Sequence, residues 1–238
     1  PPRSTTLFPY TTLFRSQVFQ TPDSKKEISA LRQKLGYTDQ TPVLLSLSRV
    51  AFEKNIHALV EAMPDILEKE PAAQLLIVGE GPARPTLERQ VREMGLQDHV
   101  SFTGQVDNDQ VCHYYQMADV FVSASDSETQ GLTYDEALAS DLPIVVMRSE
   151  YTDELIDDPA IGRSFQKRTD LVDGVLEYLA TPPSPEAIAK RREKLHDISA
   201  EVFGQRVLDF YRVCQEEVAE KKRPGFGRRF RHLRNQND

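Results

Sequence analysis

The chain has 238 residues, 29 Lys+Arg against 37 Asp+Glu, a net charge of −8 and 39% hydrophobic residues, enough for one sizeable α/β core or two small ones. A charged fraction of 28%, with 11 Gly and 15 Pro, excludes a disordered, collagenous or low-complexity chain. The apolar runs are short, such as Leu75-Leu76-Ile77-Val78, and none approaches the roughly 20 residues of a spanning helix.

Two cysteines, Cys112 and Cys214, are too few for a disulfide scaffold and suit a reducing compartment. Charge is unevenly placed: residues 1–16 carry +2, residues 221–238 carry +6 and residues 17–220 carry −16. An acidic body with a basic tail disfavours nucleic acid as the main partner. The opening PPRSTTLFPYTTLFRS has no initiator Met and repeats TTLF at 5–8 and 11–14. It lacks the continuous apolar core and small-residue cleavage site of a signal peptide. It resembles the translation of a synthetic sequencing adapter joined to a reading frame that continues upstream of Gln17; a natural polar arm or vector scar is the alternative.

From Gln17 onward, strand and helix patterns alternate. A leading helix runs from 21 to 35, with Ile28, Leu31 and Leu35 on one face and Gly36 as a stop. Strand-like runs follow at 43–48, 74–79, 99–104, 119–125 and 143–147, with a possible short last strand near Gly162 and Phe165. Helical patterns lie between them at 55–70, 84–94, 108–117 and 131–140, and a further one at about 167–180. Thr181-Pro182-Pro183-Ser184 is a linker whose Ser184 caps a helix with Pro185 at its first position. The last helix, 200–220, is expected to bury Val202, Phe203, Val207, Phe210, Tyr211, Cys214 and Val218. Val-, Ile- and Leu-rich strands alternating with helices predict a doubly wound α/β fold, a parallel Rossmann-like sheet covered on both faces. The expected divisions are a non-native segment at 1–16, a leading helix at 17–41, a Rossmann-like domain at 42–180, C-terminal helices at 181–220 and a basic tail at 221–238.

Open parallel sheets bind ligands beyond the carboxyl ends of their strands, and three such loops carry unusual residues. Ser48-Arg49-Val50-Ala51-Phe52-Glu53-Lys54 places two cations beside a helix start, where Arg as a fork and Lys as a point charge can hold a diphosphate; exposed Arg/Lys pairs are also commonly just solvated. Gly79-Glu80-Gly81-Pro82 allows close backbone approach by a nucleotide or forms an ordinary turn, and it is not the dinucleotide fingerprint. The third loop runs from Asp126 through Glu128 and Gly131 to Glu136. Gly131 and Leu132 begin a predicted helix, whose free N–H groups and dipole favour a phosphate. Glu128 and Glu136 can then face one cleft, and a carboxylate accepts from sugar hydroxyls.

Together these loops resemble the donor-binding half of family 4 retaining glycosyltransferases, which have the two-domain GT-B fold. SRVAFEKN looks like the family's Arg/Lys phosphate element, LLIVGEGP its second strand and glycine turn, and VSFTGQV the segment that meets the base. SDSETQGLTYDEALASDLPIVV is similar to the family's Glu-(seven residues)-Glu signature, and SETQGLTYDEALA looks most like the bacterial 1,2-diacylglycerol 3-alpha-glucosyltransferases. One departure is Asp141, where the family usually has Gly; Asp tolerates a left-handed turn better than most residues.

The resemblance implies catalytic roles for Arg49 and Lys54 in neutralising the leaving diphosphate, and for Glu128 on the donor hexose. It implies donor binding by Gly79, Gly81, the backbone of Gln105 and Val106 at the base, the N–H groups of Gly131, Leu132 and Thr133, and Glu136 at the ribose. The expected donor is UDP-glucose and the acceptor a membrane diacylglycerol, with no separate cofactor and no metal. His57, His99, His113, His196 and His232 are scattered and read as structural or surface groups. An N-terminal acceptor domain is expected upstream, without which this half turns over poorly and the stripe from Val202 to Val218 risks exposure. The basic, aromatic tail KKRPGFGRRFRHLRNQND suits anionic headgroups, which implies a cytoplasmic enzyme peripheral on the inner membrane face; a solvated terminus is the alternative. Two other functions stay open: a non-catalytic nucleotide- or partner-binding module, and a nucleotide-sugar 2-epimerase.

Overall fold

The computed structural model describes residues 19, 25–126, 131–181 and 183–222. Its elements in order are α1 (Lys25–Lys34), β1 (Val43–Leu47), a 3-10 turn (Phe52–Lys54), α2 (Ile56–Leu67), β2 (Gln74–Val78), α3 (Arg84–Glu93) and β3 (Val100–Gly104). Then come α4 (Val111–Met117), β4 (Val120–Ser123), α5 (Leu132–Ala139), β5 (Ile144–Met147), α6 (Glu150–Leu155), β6 (Gly162–Phe165), α7 (Arg168–Ala180), α8 (Pro185–Asp197) and α9 (Ala200–Lys222). The six strands form one sheet in the order β3-β2-β1-β4-β5-β6, and every pairing is parallel. This is the doubly wound class expected from the sequence, with strand order reversing between β1 and β4.

The pleat explains the two-sided core, because successive strand side chains point to opposite faces. Leu44, Leu75, Ile77, Val120, Val122 and Val145 face α2, α3 and α7, packing with Ile56, Val60, Met63, Leu87, Val91 and Val175. Their neighbours Val43, Leu45, Leu76, Val78, Phe121, Ile144 and Val146 face α4, α5 and α6, packing with Tyr115, Met117, Tyr134, Leu138 and Leu155. With both faces covered, the strands read as continuous apolar runs rather than alternating ones. The leading helix packs Ile28, Leu31 and Leu35 on the second cluster. Its Arg32 is buried and donates to the carbonyls of Met117 (2.6 and 3.0 Å) and Thr41 (2.8 Å), with Asp119 Oδ2 at 3.1 Å.

The hexapeptide helix α6 has no counterpart in the sequence expectation. EYTDEL is short and hydrophilic, so it offers little periodic signal; a capping box between Ser149 and Thr152 starts it. Ser184 caps α8 as expected, its Oγ accepting from the Ala187 N–H at 3.1 Å. The 1–16 segment and the 223–238 part of the tail lie outside the described residues.

The contacts divide the chain into residues 1–195 and 196–238. In the second unit α9 departs from expectation: Phe210 and Tyr211 are 66% and 60% exposed, while Val202, Val207 and Cys214 are half-buried. The side chains of Phe203 and Val218 lie outside the description. A single helix supplies no partner surface for its own apolar stripe, so periodicity alone does not bury these rings. None of the helices among the described residues is long and apolar enough to cross a membrane.

Asp141 follows α5 with φ of 60°, the left-handed turn expected at this position. Its carboxylate also receives Arg192 Nε and Nη2 at 3.0 and 2.6 Å, and its carbonyl receives Arg191 Nη1 at 2.6 Å, so the residue that makes the turn also fastens α8. Replacement Asp141→Ala raises the cost of the left-handed turn and loses the ion pair. Urea denaturation is expected to show a loss of about 1 kcal/mol. Asp141→Gly, which relieves the backbone while losing the same pair, should stay within about 0.5 kcal/mol of wild type.

Candidate functional site

The carboxyl edge of the sheet gathers most of the sequence-marked loops. After β1 the chain is knitted to the turn after β2 by backbone hydrogen bonds: Ser48 N–H to Val78 O (3.1 Å), Val50 N–H to Glu80 O (3.0 Å) and Ala83 N–H to Val50 O (3.0 Å). The glycines are required here for a reason the sequence did not reveal. A Cβ on Gly79 would strike the Ser48 carbonyl and one on Gly81 the Val50 carbonyl, so their smallness serves the seating of one loop on the other. Glu80 accepts from the Gly81 N–H (3.1 Å) and from Arg84 Nη1 (2.6 Å), while Arg84 Nε donates to Glu88 (2.8 Å). The Gly81 N–H bond and then Arg84 hold the Glu80 carboxyl below its ordinary pKa.

The two cations sit at the switch point of the strand order. Lys54 Nζ, at the end of the 3-10 turn, lies 3.4 Å from Ser125 Oγ beyond β4, bridging the two strands where the sheet reverses. Arg49 is 67% exposed and pairs with Glu53. The backbone bond at Glu53, then Arg49 and Lys54, hold the Glu53 carboxyl below its ordinary pKa. A phosphate arriving here therefore competes with Glu53 for the Arg49 fork, an acidic partner the sequence reading passed over. Asn55, in the left-handed region with φ of 51°, turns the chain from Lys54 into α2.

Gly131 heads α5 with φ of 58°, and no described side chain caps the helix, leaving its first turn available to an anion. Gly131 O accepts the N–H groups of Tyr134 (2.7 Å) and Asp135 (3.0 Å). Leu132 is exposed and Thr133 half-buried. Gln105 and Val106 follow β3 at the same edge, the first exposed and the second half-buried. Glu128 lies outside the described residues. Glu136 is half-buried, and its Oε2 accepts from the Tyr115 hydroxyl at 2.9 Å; burial raises its pKa and the Tyr115 bond opposes the rise.

The residue before it was missed. Asp135 has a buried Oδ1 without a hydrogen-bond partner, and the Tyr151 phenol of α6 is near enough to act on its carboxyl. Burial first, and the neighbouring Glu136 charge second, push its pKa up to about 7, with Tyr151 opposing. The available signal was an acidic pair, Asp135-Glu136, inside an otherwise apolar helix.

Among the described residues no group of His, Cys, Asp and Glu could hold a metal ion. A cavity of about 450 Å³ opens at the opposite edge, where Thr41, Asp119, Ser140, Pro143, Tyr178 and Arg191 line it. It lies at the amino ends of the strands, away from the edge where open parallel sheets bind ligands.

A doubly wound parallel sheet, with two cations and the start of α5 at the switch point of its carboxyl edge, defines an open α/β protein of the class that binds ligands at that edge. Residues 27–195 match the family model described as glycosyl transferases group 1, and the chain belongs to that family. It is 44% identical over 195 residues to alpha-monoglucosyldiacylglycerol synthase of Streptococcus pneumoniae (81% of this chain, 44% of that protein). The synthase of the same name from Acholeplasma laidlawii is 35% identical over 170 residues (71% and 43%). The chain thus spans less than half the length of these curated relatives. Sucrose-phosphate synthase from Thermosynechococcus elongatus shares the fold with a TM-score of 0.66 and 26% identity (84% of this chain, 51% of that one). Anabaena HepE, solved in complex with UDP, does so at 0.69 and 18% (83% and 55%).

The Asp135 carboxyl gives the fold a pH signature. Its pKa rises from an ordinary 3.8 to about 7, so between those values the folded chain keeps a proton that the unfolded chain has released. Stability therefore falls as pH rises through that window and levels off above it. Asp135→Asn removes this contribution. The drop in unfolding free energy between pH 5 and pH 8, measured in urea, should shrink by about 2 kcal/mol in the variant.

Proposed function

We propose that this chain is the donor-binding part of a retaining glycosyltransferase that moves glucose from UDP-glucose to a diacylglycerol at a membrane surface. The observation that carries the reading is the meeting, at one switch point, of Lys54 with the end of β4 and of Arg49 on the adjoining β1 loop, in a chain whose signature helix starts from the same edge. Chemically, glycosyl transfer asks the protein to stabilise a departing nucleoside diphosphate as it takes the electron pair of the anomeric bond. Arg49 as a fork and Lys54 as a point charge supply that, with the N–H groups of Gly131, Leu132 and Thr133 adding partial positive charge.

In this reading the backbone of Gln105 and Val106 meets the base, the free oxygen sites of Glu136 accept ribose hydroxyls, and Glu128 accepts from the hexose. Gly79 and Gly81 act indirectly, by letting the Arg49 loop seat on the β2 turn. The lipid acceptor is supported by 44% identity to a glucosyldiacylglycerol synthase and by the +6 tail at 221–238, which would draw an enzyme of this kind to anionic headgroups. Acceptor binding and turnover are assigned to a second domain of the whole protein.

Calorimetric titration with UDP and UDP-glucose tests the reading. Binding is expected for wild type, weakened about tenfold or more in Arg49→Ala, the scale of a charge-assisted phosphate contact. A folded wild type that binds neither ligand, or an Arg49→Ala variant with unchanged affinity, would sink it.

A further inference from the structure

Tyr151 projects from α6 against the head of α5. A Cβ built on Gly131 would collide with its Cε1, Cζ and hydroxyl oxygen. Its ring stacks on Tyr134, with centroids 6.2 Å apart and planes at 27°. Tyr134 is itself fully buried, and its hydroxyl lies 3.3 Å from Ser123 Oγ at the end of β4.

The helix carrying Tyr151 is anchored independently of α5. Ser149 and Thr152 cap each other, with the Ser149 N–H to Thr152 Oγ1 at 2.7 Å and the Thr152 N–H to Ser149 Oγ at 3.2 Å. Thr152 Oγ1 also reaches the Met147 carbonyl at 3.3 Å. A rigid path thus runs from the end of β5 through Tyr151 to the glycine that opens α5.

We infer that Tyr151 is a positioning residue for the donor diphosphate, its flat ring walling Gly131 into the left-handed turn, so that the first N–H groups of α5 are aimed at the phosphates. The inference rests on the donor-site reading above and deepens it. The left-handed turn at Gly131 decides where the Leu132 and Thr133 N–H groups point, and a glycine holds no conformation on its own. Something must supply the restraint, and the Tyr151 ring fills the space where a side chain on Gly131 would have stood. Preorganised donors outperform floppy ones because no reorganisation is needed when the anion arrives.

Tyr151 acts at the phosphate end of the ligand, whereas the base and ribose are assigned to the β3 loop and Glu136. The ratio of UDP to uridine affinity therefore isolates it, since a merely structural defect would weaken both ligands. The 238-residue chain and its variants are titrated with UDP and, by competition, with uridine, and thermal unfolding checks that each variant is folded. Tyr151→Ala is expected to lower the UDP-to-uridine affinity ratio about tenfold, the scale of one lost phosphate contact. Tyr151→Phe, which keeps the ring, should recover most of the ratio. Gly131→Ala, which forces the ring away, should reproduce the loss even if Tyr151→Ala proves too unstable to measure.

An unchanged ratio in folded Tyr151→Ala or Gly131→Ala, with wild type binding UDP and Arg49→Ala failing to, would overturn this inference alone. Failure of wild type to bind UDP would overturn the donor-site reading and this inference with it.

Discussion

Val43 donates its N–H to Asp119 Oδ2, 76 residues along, at 2.8 Å, and from there β1 and β4 run side by side with Leu44 against Val120 and Leu45 against Phe121. This central pairing joins the half of the sheet that grows outward through β2 and β3 to the half that grows through β5 and β6. Because all six strands are parallel, their carboxyl ends share one edge, and the reversal of order at this seam parts the flanking loops and opens a crevice. The Arg49 and Lys54 loop leaves one side of the seam and the chain toward Gly131 leaves the other. The same seam is held at its other end by buried Arg32, which ties α1 to the carbonyl before β4.

The loops at that edge are supported more heavily than their lengths suggest. Gly79 and Gly81 let the β2 turn lie directly on the backbone of the β1 loop, and Arg84 fixes Glu80 from α3. These contacts are mostly main-chain, so the cations are carried on a rigid platform, Arg49 exposed and Lys54 half-buried beside Ser125. Glu53 beside Arg49 keeps the fork compensated when no anion is bound. The head of α5 is held in a different way, by the aromatic stack of Tyr134 and Tyr151, with no described side chain capping the helix.

Legibility in the sequence varied with how local the cause was. The strand runs 43–48 and 74–79 were plain because strands covered on both faces are apolar throughout. Ser184 as a cap and Asp141 as a left-handed stop were readable because caps and turns are decided within a few residues. The helix α6 was not readable, since its six hydrophilic residues are stabilised by a capping box and by what Tyr151 touches. The apolar residues of α9 misled: their periodicity marked a helix correctly, while Phe210 and Tyr211 stayed exposed, since helical spacing names a face and not its partner.

By itself, then, the sequence determined the alternation of strands and helices, the doubly wound class, the place of Arg49 and Lys54 just after β1 and that of Gly131 and Glu136 at the head of and within α5, because hydrophobic periodicity and turn chemistry act over a handful of residues. Only the tertiary structure decided that Gly79 and Gly81 make room for the chain's own carbonyls, that Glu53 shares the Arg49 fork and that Tyr115 takes an oxygen of Glu136. It alone decided that Tyr151 and Gly131 meet at the head of α5. These are contacts between side chains or loops whose distance depends on how strands pair and helices pack, and burial of a carboxyl such as Asp135 exists only once those layers have closed around it.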